Sequence, residues 1–254
     1  MTPAPRRVAA VIPAWNEEAS VGLVLADLPR PLVERVVVCD NGSTDATARV
    51  ARDAGALVVA EPRRGYGAAC LRALDALESD PPDIVLFLDA DRSDDATEAG
   101  AVLAPILDGR ADFVVGSRAL GDAEPGSLTP VQRFGNRLAA GLLRRFYGVD
   151  ATDLGPFRAI RWESLRALRM RDRDFGWTIE MQVKAARLGL RTLEVPVRYR
   201  RRADPSGSKI SGTIRGTLFA GTKILGTIAA DLLRNGVPRS RRGSAVPRTG
   251  RGTP

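Results

Sequence analysis

Histidine is absent from all 254 residues. Its absence removes the commonest general base, the commonest metal ligand and every Ser-His or Cys-His nucleophile pair, so any chemistry must run on carboxylates, arginines or an oxygen-held metal. Cysteine is nearly as scarce. Cys39 stands in an apolar run and Cys70 among small residues, a pattern of buried thiols in a reducing compartment rather than of a disulfide staple or zinc site. No stretch of about 18 uncharged apolar residues occurs, and the opening MTPAPRRVAAVIPAW meets proline and charge too early for a secretory leader. These absences predict a cytoplasmic protein whose one route to a bilayer is a peripheral place on the inner face of the cell membrane. Apolar residues make up 44%, enough for a sizeable core in one α/β domain and too many for a disordered or collagen-like chain.

The formal charge of +8 invites a nucleic-acid reading that its distribution does not support. Arg6 and Arg7 open the chain, and residues 235–254 add Arg239, Arg241, Arg242, Arg248 and Arg251 without an acid; removing these seven leaves +1 for residues 8–234. A nearly neutral body offers no basic groove, so no nucleic acid is expected as a partner. Residues 1–7 and the Arg-, Gly-, Pro- and Ser-rich tail 235–254 read as disordered, and the tail suits an anionic membrane surface.

From residue 8 to about 117, short apolar runs alternate with longer amphipathic segments, the pattern of a mainly parallel sheet flanked by helices. The spacing predicts strands at 8–13, 34–39, 56–60, 84–88 and 112–116, with helices at 17–28, 44–54, 66–78 and 95–107. Beyond residue 125 the alternation loosens into a helix near 130–147, an extended piece at 156–161, helices near 162–169 and 178–188, and a strand at 191–199. Residues 210–234 place Ile210, Ile214, Leu218, Leu225, Ile228 and Leu232 on one helical face, while Arg215, Lys223 and Asp231 interrupt it too often for a membrane span. Such a C-terminal amphipathic helix either packs on the domain or a partner, or lies in the membrane plane.

Ligands of open α/β sheets bind beyond the carboxyl ends of the strands. Four predicted strands run into polar clusters there: Pro13-Ala14-Trp15-Asn16-Glu17-Glu18, Asp40-Asn41-Gly42-Ser43-Thr44-Asp45, Arg63-Arg64-Gly65-Tyr66-Gly67, and Asp89-Ala90-Asp91. Each alone is ordinary, since Ser43 or Thr44 ahead of Asp45 reads as a helix start and Glu17-Glu18 as a first helical turn. Their joint placement on one rim carries the argument. Asp89 and Asp91, at i and i+2 where a buried strand ends, need compensating charge. Oxygen ligation without histidine or thiolate points to Mg²⁺ or Mn²⁺, which retain waters and bridge substrate phosphates. No GxGxxG follows the first strand and no GxxxxGK[ST] occurs anywhere, which argues against a dinucleotide site and excludes a P-loop.

VIPAWNEE, VVVCDNGSTDAT, RRGYGAA and FLDADRS, in this order and spacing, resemble the family 2 glycosyltransferases, which have the GT-A fold. GSRALG at 116–121, FRAIR at 157–161, the run 177–202 and SGSKISG at 206–212 are similar to the polyprenyl-phosphate (dolichyl-phosphate) mannosyl- and glucosyltransferase branch, so the resemblance covers roughly residues 8–215. It implies a catalytic domain over 8–209, with a nucleotide-binding half at 8–117 and an acceptor half at 118–209. It further implies inverting transfer of a hexose from a GDP- or UDP-sugar to an acceptor, a polyprenyl phosphate first among the choices. Carried over by position, Pro13, Trp15, Glu17 and Asp40 would line the base and ribose pocket, and Asp89 and Ala90 would lie along the nucleotide. Asp91 would hold the metal, with Asp89 beside it. Arg118, Arg202, Ser208 and Lys209 would meet donor or acceptor phosphates, a role that suits guanidinium and ammonium groups. An anionic lipid phosphate needs no strong base, whereas a hydroxyl acceptor does, and Asp153 and Glu180 are the carboxylates at acceptor-side positions.

The sequence departs from that branch in three places. Tyr66 stands where an RGKG-type loop has lysine, with Arg63 or Arg64 as its substitute; TDLGPFRAIR replaces a shorter TSGFRA-type run; and no transmembrane pair follows. Two rival readings follow: a soluble or cell-envelope hydroxyl acceptor, or a degenerate binding subunit, for which Tyr66 is the only support. A sugar-1-phosphate nucleotidyltransferase is disfavoured because PAWNEE is acidic where a Gly-rich basic loop belongs. A homo-oligomer is left open. If the basic tail is an electrostatic anchor, deleting residues 235–254 weakens co-sedimentation with anionic vesicles and leaves donor hydrolysis unchanged; equal vesicle binding refutes it.

Overall fold

The computed structural model of the chain describes residues 6–202 and 214–238. Its strands are β1 (Val8–Ala14), β2 (Arg35–Asp40), β3 (Leu57–Ala60), β4 (Ile84–Phe87), β5 (Phe113–Ser117), β6 (Arg158–Arg161) and β7 (Thr192–Pro196). They form one sheet in the order β3-β2-β1-β4-β6-β5-β7, parallel throughout except where β6 pairs antiparallel with β4 and β5. Ala9 to Ile12 and Ile84 to Leu88 are fully buried, as expected of strands covered on both faces. The helices are α1 (Val21–Asp27), α2 (Thr47–Asp53), α3 (Tyr66–Asp75), α4 (Ala99–Leu107), α5 (Pro130–Tyr147), α6 (Trp162–Leu168), α7 (Trp177–Leu188) and α8 (Ile214–Asn235). One core cluster packs α1, α2 and α4 on one sheet face, and a second packs α3, α6 and α7 on the other.

The predicted elements are present, with shifts that have local causes. The helix expected from residue 17 begins at Val21, because the Glu17 amide donates to Thr47 Oγ1 at 2.7 Å and the chain turns before it coils. The extended piece at 156–161 becomes β6, wedged antiparallel between β4 and β5, which makes the sheet mixed. A capping box of Thr129 and Gln132 with Pro130 starts α5, and Gly148 in the left-handed region ends it.

Of the expected stripe of α8, Ile228 and Leu232 pack on the domain, Leu225 is 40% exposed, and Ile210 and the side chains of Ile214 and Leu218 lie outside the described residues. Ile224, Ile228 and Leu232 join Leu143, Tyr147, Ile179 and Val183 of α5 and α7. Asp231 clamps the layer, accepting from the Tyr147 hydroxyl at 2.5 Å and from Arg187 Nε at 2.7 Å. On α5, Val131, Phe134 and Leu138 are 59%, 67% and 40% exposed and form an apolar face in water. Ser208, Lys209, most of the N-terminal 1–7 segment and the tail from 239 lie outside the described residues.

A β-carbon added at Gly67 in α3 would lie 2.0 Å from the Asp172 carbonyl oxygen, whereas one at Gly135 in α5 would meet nothing within 4 Å. Gly67→Ala should therefore cost about 1–3 kcal/mol and lower the melting temperature by several degrees. Gly135→Ala should be neutral or gain up to about 1 kcal/mol from helix propensity. Equal melting curves for the two variants would refute the close approach.

Candidate functional site

The chain leaves β1 toward β2 on one side of the sheet and returns to β4 on the other, and such a switch point opens a crevice beyond the strand ends. A cavity of about 450 Å³ occupies it. The four polar clusters do converge there, contributing Pro13 at the end of β1 with Trp15 and Glu17 beyond it, Asn41 after β2, Arg64 and Tyr66 after β3, and Asp89, Ala90 and Asp91 after β4. Phe175 and Arg202 close the cavity from the second half of the chain.

Reciprocal hydrogen bonds lock the first two loops together. Asn16, at φ +53°, donates its amide to Ser43 Oγ at 2.9 Å and accepts from the Thr44 amide at 2.8 Å, while Glu18 accepts from the Ala46 amide. Asn41 fastens the third loop: its Nδ2 donates to the Glu61 and Arg63 carbonyls at 2.9 and 2.7 Å, and its Oδ1 accepts from the Gly65 amide at 2.9 Å. That task needs a donor and an acceptor on one side chain, which an ionised aspartate lacks. Asp40, expected in the pocket, instead accepts from the Ser43 amide and lies outside the cavity lining. Arg63 is exposed and also outside the lining, while the Arg64 guanidinium stacks 4.0 Å from the Trp15 ring centroid.

Acid burial dominates the electrostatics. Burial, then the adjacent Asp91 charge, pushes the Asp89 carboxyl up to about 7. Burial followed by Asp89 and Asp91 holds Asp94, 1% exposed, well above the usual carboxylate range. Asp91 Oδ1 accepts from the Ser93 amide and hydroxyl at 2.9 and 2.6 Å, and Oδ2 meets Arg202 Nε at 3.0 Å. Asp89 Oδ1 and Asp94 Oδ1 are buried with no hydrogen-bond partner. An orphaned carboxylate oxygen two residues from a second carboxylate, in a cavity without nitrogen or sulfur ligands, fits a hard divalent cation. No three acids or cysteines cluster as a complete metal cage among the described residues, so such an ion would need oxygens from water or a bound phosphate.

Two expected acceptor-side carboxylates are placed differently. Asp153 is fully buried beneath Arg118, accepting from its Nε at 2.8 Å, its Nη2 at 2.6 Å and its backbone amide at 2.7 Å. Although burial works in the opposite direction, the Arg118 charge and these hydrogen bonds hold Asp153 below the ordinary carboxylate range. Asp153 is thus held against Arg118, which lies over the Tyr199 ring and outside the cavity lining. Glu180 lines a different concavity, accepting from the Arg171 and Asp172 amides and pairing with Lys184 at 2.7 Å. In both places the carboxylate accepts from donors of its own neighbourhood, Arg118 in one and the Arg171 and Asp172 amides with Lys184 in the other.

Residues 9–194 match Glycosyl transferase family 2. The chain is 40% identical over 214 residues to an uncharacterized glycosyltransferase of Mycobacterium tuberculosis, covering 84% of this chain and 94% of that protein. It is 34% identical over 198 residues to a dolichyl-phosphate hexose transferase of Haloferax volcanii, covering 77% and 84%. Among solved structures, glucosyl-3-phosphoglycerate synthase of M. tuberculosis, in complex with Mn²⁺, UDP-glucose and phosphoglyceric acid, superposes with a TM-score of 0.72 at 26% identity, covering 93% of this chain and 82% of that one.

Asp153→Leu leaves the Arg118 charge buried without its partner and should destabilise the fold by about 3–5 kcal/mol at neutral pH. The double variant Arg118→Met/Asp153→Leu should recover most of that loss. Because the folded state holds the Asp153 carboxyl low, the pair's contribution is complete above the ordinary carboxylate range and fades as pH falls below it. Thermal melts at pH 7 and pH 3 check both points; a single variant as stable as the double at pH 7 refutes the pairing.

Proposed function

Since the chain belongs to the family 2 glycosyltransferases, and has their GT-A fold, we propose that it transfers a hexose, with inversion, from a nucleoside-diphosphate sugar to a polyprenyl phosphate. One observation carries the acceptor choice. Neither candidate base is available, because Asp153 is saturated by Arg118 and Glu180 faces another concavity. An acceptor that arrives ionised suits such a site, and a phosphate monoester, with a second pKa near about 6, is largely dianionic at neutral pH. The exposed Val131, Phe134 and Leu138, flanked by exposed Arg133 and Arg137, supply an amphipathic face for a lipid surface. No helix among the described residues is long and apolar enough to cross a membrane. The homologous dolichyl-phosphate hexose transferase supports the same reading.

In this mechanism Trp15 and Arg64 bind the nucleobase by stacking, and Pro13 and Glu17 flank the ribose. Asp89 and Asp91 hold Mg²⁺ or Mn²⁺, which supplies positive charge to the diphosphate leaving group when bound; the Mn²⁺ complex of the structural relative supports that assignment. Arg202 at the cavity mouth offers a guanidinium to phosphate oxygens. Arg118, fixed by Asp153 through Nε and Nη2, retains Nη1 for an anionic oxygen. The acceptor oxygen attacks the anomeric carbon from the face opposite the diphosphate, so the glycosyl bond to the nucleotide breaks as the new bond forms.

The protein, supplied with radiolabelled UDP-glucose or GDP-mannose, Mn²⁺ and a detergent-solubilised polyprenyl phosphate, should move label into an organic-extractable product. Asp91→Ala should reduce the rate at least about 100-fold while preserving the melting profile. Label on 3-phosphoglycerate and none on lipid would replace the acceptor assignment with a soluble one. Turnover of neither acceptor, with no nucleotide-dependent stabilisation, would overturn the catalytic reading.

A further inference from the structure

A second concavity outside the donor cleft lies between α7 and α8 and measures about 860 Å³. Its charges do not balance. All three lining acids are engaged within the protein: Glu180 with the Arg171 and Asp172 amides and Lys184, Asp172 with the Asp174 and Gly176 amides and Lys223, and Asp231 with Tyr147, Arg187 and Asn235. Lys184 and Lys223 are spent on those acids. Arg169, Arg171 and Arg234 also line the space, and none of their guanidinium groups has a hydrogen bond or ion pair to another described residue. Arg169 is held at φ +49°, so its side chain leaves the C-terminal end of α6 from a turn rather than from the helix surface.

Three uncommitted planar donors around one concavity fit an anion with several oxygens, and phosphate matches guanidinium forks better than a single carboxylate does. The volume is that of a small-molecule site, and a lining of Gly226, Thr227 and Ala230 beside the arginines leaves room for a short polyol on the phosphate.

This concavity shares a wall with the donor cleft. Residues 169–176 present the Arg171 and Asp172 amides to Glu180 on one side. On the other, the Asp174 and Arg173 carbonyls accept from the Gly67 and Ala68 amides at 3.2 and 2.9 Å, and Phe175 lines the donor cavity. Lys223 of α8 grips the same segment through Asp172 and Asp174 at 3.2 and 3.5 Å.

We propose that the concavity between α7 and α8 is a second anion site, selective for a phosphate group, and that its occupancy is coupled to donor binding through residues 169–176. The coupling rests on the donor-cleft reading above, whereas the anion site does not. The probes are inorganic phosphate, glycerol 3-phosphate, and phosphatidylglycerol against phosphatidylcholine vesicles. They are applied to the full chain and to Arg171→Gln/Arg234→Gln, whose side chains are exposed and outside the catalytic machinery.

With UDP and Mn²⁺ saturating the donor cleft, phosphate should raise the wild-type melting temperature in a saturable way, and the double variant should bind it about tenfold more weakly. Phosphate should also change wild-type UDP affinity about fivefold and leave that of the variant unmoved, because coupling is reciprocal. A response to phosphatidylglycerol alone assigns the phosphate to a lipid headgroup, and a response to the soluble anions assigns it to a metabolite. Identical phosphate titrations for wild type and variant overturn the site. Intact phosphate binding with no change in UDP affinity overturns the coupling alone. Failure of UDP to bind at all, with the phosphate difference preserved, strikes the donor reading and spares the anion site.

Discussion

The constraint on which the molecule depends is the burial of acids where β4 ends. Asp91, Asp94 and Asp95 are at most 4% exposed, and Asp89 lies beside them in the cavity wall. Charge taken out of water at that density is costly unless it is matched. The match comes from the second half of the chain: Arg202 meets Asp91, Arg200 reaches Asp95 at 2.5 Å, and Arg118 lies close enough to lower both Asp89 and Asp94. The extension of β7 crosses the acid loop to deliver two of these, with the Arg200 amide donating to the Ser93 carbonyl at 2.7 Å. Burial of the acids therefore requires both halves of the domain to be folded together. The compensation is incomplete, because two carboxylate oxygens keep no partner. A cleft left short of positive charge is prepared for a cation and its phosphates.

Much of this was legible before any coordinates. Strands buried on both faces announce themselves as uninterrupted apolar runs, and chain order then places four polar clusters on one rim. Exchanges between neighbours in sequence were not legible. Asn41 rather than Asp40 lines the cavity, since neighbours at a strand end point to opposite sides, and of the loop arginines Arg64 rather than Arg63 does. Nor does sequence reveal what a carboxylate must satisfy. Asp153 and Glu180 were plausible bases by position, yet three donors from Arg118 claim the first and two loop amides with Lys184 claim the second. Of the C-terminal amphipathic pattern, Ile228 and Leu232 pack against α5 and α7, since periodicity identifies an apolar face without identifying what covers it.

The segment 169–176 explains why glycines flank Tyr66. Its carbonyls cap the start of α3, and a β-carbon on Gly65 would fall 2.1 Å from the Arg173 oxygen and one on Gly67 2.0 Å from that of Asp172. Helix starts of this kind ordinarily offer their amides to a ligand phosphate; here backbone carbonyls take the Gly67 and Ala68 amides. Among the described residues, Arg64 and Arg202 are the cationic side chains lining the cleft that could meet a diphosphate. Tyr66, where a basic residue was expected, is in contact with Asp89 rather than with open solvent: burial and then the Asp89 charge push its hydroxyl well above its usual range, so it stays protonated as a donor. A neutral tyrosine adds no charge of its own beside Asp89 and Asp91.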